Sequence, residues 1–160
     1  GDVNNDMVSD IIVGASAFDT APPGGQGKAY VYQGSIAGPS SQPDWTSVGD
    51  DQAGAAYGVS VSTAGNLIGD NSSEVIIGAS SFTTATGLEG KAYVYRGSAS
   101  GLLNQPWWTS SGNSQPAAFY GYSVAAAGDV NNDGHADIIV GAPRFDTTTA
   151  TDAGKAYMNK

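Results

Sequence analysis

The chain has 160 residues, with 15 acidic and 6 basic side chains and a formal net charge of −9. Nucleic acid is not an expected partner of so acidic a chain, because affinity for phosphate backbones comes mainly from Lys and Arg. The absence of cysteine excludes disulfides and thiolate metal sites, and the absence of an apolar run of about 18 residues argues against membrane insertion. The length and the 40% hydrophobic content fit one domain over residues 1–160.

Short runs of β-branched and aromatic residues, bounded by Gly, Pro, Ser and Asp, follow one another along the chain. No stretch places apolar residues at the three- and four-residue spacing of a helix, so the sequence predicts an all-β fold. In the central part, the predicted strands in chain order are 58–64, 74–79, 91–96 and 107–110.

The strand-like runs belong to a repeat. Gly-Lys-Ala-Tyr occurs at 27–30, 90–93 and 154–157, so its lysines are 63 and 64 residues apart. The boundaries of the repeats are approximately 1–47, 48–110 and 111–160. Four antiparallel strands per period form the blade of a β-propeller. A β-sandwich built by duplication is the alternative, but sandwiches rarely keep the same turns at a fixed period.

A polar loop at 129–137, the third loop, precedes one Ile-Ile-Val strand. Counted from Asp129, side-chain oxygens fall at positions 1, 3, 5 and 9, and position 6 is glycine. A chain curling around a cation presents alternate side chains inward, and Ca²⁺ prefers six to eight oxygen ligands. The predicted ligands are Asp129, Asn131, Asp133, the carbonyl of His135, and Asp137. The histidine side chain is expected to face solvent.

The first loop, at 2–10, repeats the pattern with Met7 at position 6. A positive φ at this position would strain methionine. The predicted ligands are Asp2, Asn4, Asp6, the carbonyl of Val8, and Asp10.

The second loop, at 66–74, is weaker because position 3 is Ile68. Asn66, Asp70 and Glu74 remain, and they predict weak calcium binding or none. For all three loops the alternative is an Asx turn, in which side chains cap their own backbone amides without metal. Recurrence of the ligand pattern 127 residues apart favours calcium.

Two further motifs recur in the same order. Tyr-Gly at 57–58 is followed by Gly-Ala-Ser at 78–80, and Tyr-Gly at 120–121 is followed by Gly-Ala-Pro at 141–143. This combination resembles the FG-GAP repeat of integrin α subunits and of many secreted bacterial proteins. The resemblance implies propeller blades with a calcium loop between these two motifs. It places the family's ligands on the residues named for the first and third loops. It also implies a secreted or cell-surface setting.

About two and a half repeats cannot close a ring, which needs at least about four blades. We therefore expect an incomplete ring, a fragment of a longer propeller, whose partner is the remainder of that propeller or another copy of the chain bound through the open ends.

Catalysis is not expected, because the only histidine lies in the third loop and no phosphate-binding motif is present. The loops 18–25, 82–89 and 145–153 vary most and are the predicted ligand contacts. The sequence thus predicts a non-catalytic, calcium-binding scaffold for adhesion or protein binding. The alternative is a calcium-dependent lectin, because Trp45, Trp107 and Trp108 could stack on sugars. Trp45 and Trp108 recur in register, which favours packing, whereas Trp107 replaces Asp44.

Overall fold

The computed structural model describes residues 1–19, 24–112 and 115–159, and this part of the chain is all-β. Among these residues there is no helix, and hence none long and apolar enough to cross a membrane. The strands are β1 (Ile11–Ala15), β2 (Lys28–Tyr32), β3 (Trp45–Ser47), β4 (Tyr57–Gly65), β5 (Glu74–Ala79), β6 (Thr83–Thr84), β7 (Gly87–Leu88), β8 (Lys91–Tyr95), β9 (Trp108–Ser110), β10 (Ser123–Gly128), β11 (Asp137–Ala142) and β12 (Lys155–Asn159).

The central sheet is a complete blade of four antiparallel strands in the order β4-β5-β8-β9. All four predicted strands are confirmed, with ends that differ by one residue at most. The flanking sheets, β1-β2-β3 and β10-β11-β12, follow the same plan with three strands each. The order of strands within each sheet and the succession of sheets along the chain are those of an open, partial β-propeller.

One element was not predicted. The connection between β5 and β8 contains a two-stranded hairpin, in which β6 pairs with β7. These strands have two residues each and come from a segment rich in Thr and Gly. The hairpin therefore offers no apolar alternation that a sequence pattern could reveal.

The hydrophobic core lies between successive sheets. Val75 and Ile77 of β5 belong to the cluster shared with the first sheet, whereas Ile76 belongs to the cluster shared with the third. Successive side chains of a strand point to opposite faces, so this one run of Val and Ile supplies both interfaces. Each β5 residue is accordingly buried.

Glycines set the distance between blades. A Cβ atom on Gly14 would overlap the carbonyl oxygen of Gly58, and one on Gly78 would overlap that of Gly121. Gly58 and Gly121 also have positive φ angles of 82° and 83°. Backbone thus packs directly on backbone where the Gly-Ala strand meets the Tyr-Gly corner of the next blade, which only glycine permits.

The lysine of each Gly-Lys-Ala-Tyr segment lies over two aromatic rings. Lys91 Nζ is 4.8 Å from the ring centroids of both Phe82 and Tyr93. The equivalent sets are Lys28 with Phe18 and Tyr30, and Lys155 with Phe145 and Tyr157. Cation–π attraction of this kind explains why lysine and aromatic residues recur together. The phenylalanine that opens each variable loop is therefore a packing residue.

Candidate metal centre

The three polar loops occupy equivalent places at one end of the blades. The first precedes β1, the second joins β4 to β5, and the third joins β10 to β11. Hydrogen bonds of the same kind connect neighbouring loops: Ser73 N donates to the carbonyl oxygen of Asp2 at 2.7 Å, and Ala136 N donates to that of Asn66 at 3.0 Å. The loops therefore form a continuous row across the blades.

The three loops share one backbone conformation. Positions 4 and 6 have positive φ in each of them. The residues at these positions are Asn5 and Met7, Gly69 and Asn71, and Asn132 and Gly134. Asn and Gly adopt the left-handed region readily, whereas methionine adopts it only at a cost in backbone strain. Position 6 therefore has the positive φ at which a methionine is strained.

Replacing Met7 with glycine is expected to stabilise the protein by about 0.5–1 kcal/mol. The residue has φ 70°, and its side chain is 93% exposed, so the substitution relieves backbone strain and loses no packing. Thermal unfolding measures the effect as a rise in melting temperature of about 1–4 °C. Gly134→Met should lower it by a similar amount. A fall in melting temperature for Met7→Gly would contradict the assignment of strain.

Side-chain oxygens converge in the first loop. Asp2 Oδ1 and Asn4 Oδ1 both accept hydrogen bonds from the amide of Asp6, at 3.1 and 3.2 Å. Asp6 Oδ2 in turn accepts from Asn4 Nδ2 at 2.9 Å. Two further amides of the loop donate to these carboxylates. Met7 N donates to Asp2 Oδ2, and Val8 N donates to Asp6 Oδ1.

The third loop reproduces this arrangement. Asp129 Oδ1 and Asn131 Oδ1 accept from the amide of Asp133, each at 3.1 Å, and Asn131 Nδ2 donates to Asp133 Oδ2 at 2.7 Å. His135 N donates to Asp133 Oδ1 at 2.9 Å. Hydrogen bonds thus bring positions 1, 3 and 5 together in both loops.

Position 9 anchors each loop to its blade. Asp10 Oδ2 accepts from Val3 N, and its Oδ1 accepts from Gly34 N, at 2.7 and 2.8 Å. Asp137 Oδ2 accepts from Val130 N at 2.8 Å, and Asp137 is only 1% exposed. This structural role was not predicted, because spacing alone does not distinguish a ligand from a buried acceptor.

The second loop differs in its polar contacts. Asn66 Oδ1 accepts from Gly69 N at 2.7 Å, and Asp70 Oδ2 lies 3.3 Å from Arg96 Nη2. Glu74 Oε2 accepts from Leu67 N at 2.7 Å. Burial raises the pKa of the Glu74 carboxyl above its usual range. The second loop therefore has fewer converging oxygens and a cationic partner already present.

Among the described residues, no group of three or more His, Cys, Asp or Glu side chains lies together in a way that could hold a metal ion. The loop hydrogen bonds are those of Asx turns, the alternative named above. The ligand assignments, including the carbonyls of Val8 and His135, stay predictions.

The tryptophans separate into two kinds. Trp45 is buried and Trp108 half-buried, which confirms that the two residues in register are packing residues, whereas Trp107 is 50% exposed.

Trp107 lines a cavity together with His135, whose ring also borders Gly69. His135 is exposed, as expected, and its ring lies near Trp107 and Gly69. The sequence feature at this cavity is Asn159, which occupies the position that Tyr32 and Tyr95 occupy in the first two repeats.

The variable loops are only partly described. Residues 20–23 of loop 18–25 lie outside the described residues. Loop 82–89 contains the β6–β7 hairpin. In loop 145–153, Asp152 N donates to Asp146 Oδ1 at 2.7 Å. Their role in ligand contact stays a prediction.

These features define a class of protein: a partial β-propeller in which a polar loop leads into a Gly-Ala strand that packs on the Tyr-Gly corner of the next blade. Residues 120–157 match the FG-GAP repeat. The chain is a stretch of FG-GAP-repeat β-propeller of the integrin-alpha type.

Several integrin alpha chains are similar to nearly the whole sequence. Integrin alpha-5 of Xenopus laevis is 30% identical over 155 residues, which is 92% of this chain and 14% of that protein. Integrin alpha-3 of Cricetulus griseus is 31% identical over 147 residues, covering 88% and 13%. Integrin alpha-6 of Gallus gallus is 27% identical over 145 residues, covering 88% and 12%. The chain thus spans about one seventh or less of the length of these relatives.

Proposed function

We propose that this chain is a non-catalytic, calcium-binding scaffold of a secreted or cell-surface protein, with one Ca²⁺ in the first loop and one in the third. The observation that carries the proposal is the convergence of Asp2 and Asn4 oxygens on the amide of Asp6. The same convergence occurs at Asp129, Asn131 and Asp133.

The donor chemistry fits a hard cation. In the first loop the ion would be held by the side chains of Asp2, Asn4, Asp6 and Asp10 and by the carbonyl of Val8. In the third it would be held by Asp129, Asn131, Asp133, Asp137 and the carbonyl of His135. A carboxylate oxygen that accepts one amide hydrogen bond keeps a second lone pair, so these bonds are compatible with coordination. The ion would neutralise the carboxylates of each loop and fix its conformation.

The second loop is proposed to bind calcium weakly or not at all. Ile68 supplies no oxygen at position 3, and Arg96 supplies positive charge beside Asp70. A cation entering this loop would have to compete with the guanidinium group, and Glu74 is held in the core below it.

Calorimetric titration with Ca²⁺ tests the proposal, and the expected stoichiometry is two ions per chain. Asp133→Ala should reduce it to one by removing the central ligand of the third loop. Asp70→Ala is the matched control and should leave it at two. A stoichiometry of zero, or equal losses for the two variants, would contradict the proposed sites.

The proposed partners are proteins, in keeping with the integrin names of the relatives. One such partner is a further blade, from a second copy or from the same polypeptide. Ile11 and Val13 of β1 are 46% and 44% exposed, and Tyr122 beside β10 is 56% exposed. Exposed apolar side chains on the two outer sheets favour association with another blade. Light scattering coupled to size-exclusion chromatography measures it, and a stable monomer of 16.1 kDa would contradict self-association.

A further inference from the structure

The side chains of the second loop do not fit a calcium ion, although its backbone follows the other two loops. Positive φ angles at positions 4 and 6 are common to all three loops. Position 1, however, is the neutral Asn66, and position 3 is Ile68, which has no oxygen in its side chain. A hard cation therefore loses one charged ligand and one neutral ligand in this loop.

A different group contacts the carboxylate at position 5 of the second loop. In the first loop Asp6 Oδ2 accepts from Asn4 Nδ2 at 2.9 Å, and Asp133 Oδ2 accepts from the equivalent asparagine of the third loop at 2.7 Å. In the second loop the equivalent oxygen, Asp70 Oδ2, accepts from Arg96 Nη2 at 3.3 Å. A guanidinium group thus contacts the same carboxylate oxygen that position 3 contacts in the other loops.

The second blade positions this guanidinium group. Arg96 directly follows β8, and its carbonyl oxygen accepts from Leu103 N at 2.9 Å, which fixes the backbone at the base of the side chain. Arg96 Nε is buried, whereas the whole side chain is 39% exposed. The equivalent residue of the first repeat is Gln33, and that of the third, Lys160, lies outside the described residues.

The three loops have the same charge balance when Arg96 is taken as the cation of the second. The first and third loops contain three carboxylates each, so a bound Ca²⁺ would leave one negative charge. The second loop contains two, Asp70 and Glu74, so the guanidinium group also leaves one negative charge. One carboxylate fewer is therefore matched by a cation with one charge fewer, and repulsion between the carboxylates is relieved in each case.

We propose that the guanidinium group of Arg96 is the permanent cation of the second loop and takes the place of a calcium ion there. The comparison with calcium rests on the proposed function, but the contact between Arg96 and Asp70 does not. Arg96 then has two effects. It holds the second loop when no calcium is bound, and it disfavours a third ion even when the missing ligands are restored.

Calorimetric titration with Ca²⁺ tests the effect of Arg96 on ion binding. The double variant Asn66→Asp and Ile68→Asn restores the side chains that the other loops have at positions 1 and 3. Adding Arg96→Gln, the residue of the first repeat, should give a stoichiometry of three. The third ion should bind this triple variant at least about 10-fold more tightly than the double variant, because a positive charge close to the ion is removed.

Hydrogen exchange in excess EGTA tests the holding effect without calcium. Ser72 N donates to Asp70 Oδ1 at 3.1 Å, so exchange of this amide reports on the order of the second loop. Arg96→Gln should speed the exchange about 2–5-fold, the range for a partly exposed ion pair. Arg144→Gln is the matched control. It removes an arginine that lies over the ring of Phe119, and it should leave the exchange at Ser72 unchanged.

Equal affinity of the double and triple variants for a third ion, or no third ion in the triple variant, would overturn the proposal. Unchanged exchange at Ser72 in Arg96→Gln would also overturn it. An equal increase in both arginine variants would do the same, because it would reflect a general loss of stability. If the wild-type chain binds no calcium and Arg96→Gln still speeds exchange at Ser72, the proposed calcium sites fail and the holding role of Arg96 stands.

Discussion

Adding excess EGTA is expected to lower the melting temperature of this chain by about 10–20 °C. A ligand present at 100 times its dissociation constant stabilises the folded state by about 2.7 kcal/mol per site, and two sites contribute about 5 kcal/mol. For a chain of this size, each kcal/mol corresponds to about 2–4 °C. Differential scanning calorimetry with and without the chelator measures the shift.

The specificity of the effect is tested by adding metal back. Calcium in excess over EGTA should restore the melting temperature, and an equimolar amount of magnesium should not, because Mg²⁺ demands smaller octahedral sites and retains its water. The double variant Asp6→Ala and Asp133→Ala is the control and should no longer respond to the chelator. An unchanged melting temperature for the wild-type chain in EGTA would remove structural calcium from the proposed function.

Replacing Gly78 with alanine is expected to destabilise the protein by about 3 kcal/mol, which lowers the melting temperature by about 6–12 °C. The added Cβ would overlap the backbone carbonyl of Gly121 in the next blade. Because the obstacle is backbone, relief requires the two blades to move apart. Their shared core, which includes Ile76, Tyr120 and Val140, would then lose contacts.

Gly141→Ala is the matched control for this substitution. Gly141 occupies the same motif position in the third blade, but the nearest atom to an added Cβ is the side-chain oxygen of Ser123, which can rotate away. Neither Gly78 nor Gly141 has a positive φ, so both alanines are compatible with the local backbone conformation. We expect a loss below about 1 kcal/mol at Gly141. Similar losses at the two glycines would show that the contact between blades does not set the stability.

The repeat made most of the fold predictable. Alternation of apolar residues is weak evidence for any single strand, but Ile-Ile-Val-Gly-Ala and Gly-Lys-Ala-Tyr recur in the same order at one period. Each repeat of the sequence therefore folds as one repeat of the structure. For this reason the predicted strands 74–79 and 91–96 agree with β5 and β8 almost residue by residue.

The positions of the loops were predictable, but the roles of individual oxygens were not. Spacing places Asp2, Asn4 and Asp6 on one side of a curled loop whether their partner is a cation or an amide. The roles of Asp10 and Asp137 could not be predicted from spacing, because Asp10 accepts a hydrogen bond from Gly34 N, which is distant in sequence, and Asp137 is buried.

The hydrogen bonds that connect the polar loops have a consequence for the dynamics of the propeller. The Asp2 carbonyl belongs to a loop proposed to bind calcium, and it holds the amide of Ser73 in a loop proposed to bind little or none. Ordering of the first loop should therefore slow hydrogen exchange at Ser73 although no ion is placed beside it. Ordering of one loop would then reduce the mobility of the loop in the next blade. A blade with a poor cation site would be stabilised by the hydrogen bond from the blade before it.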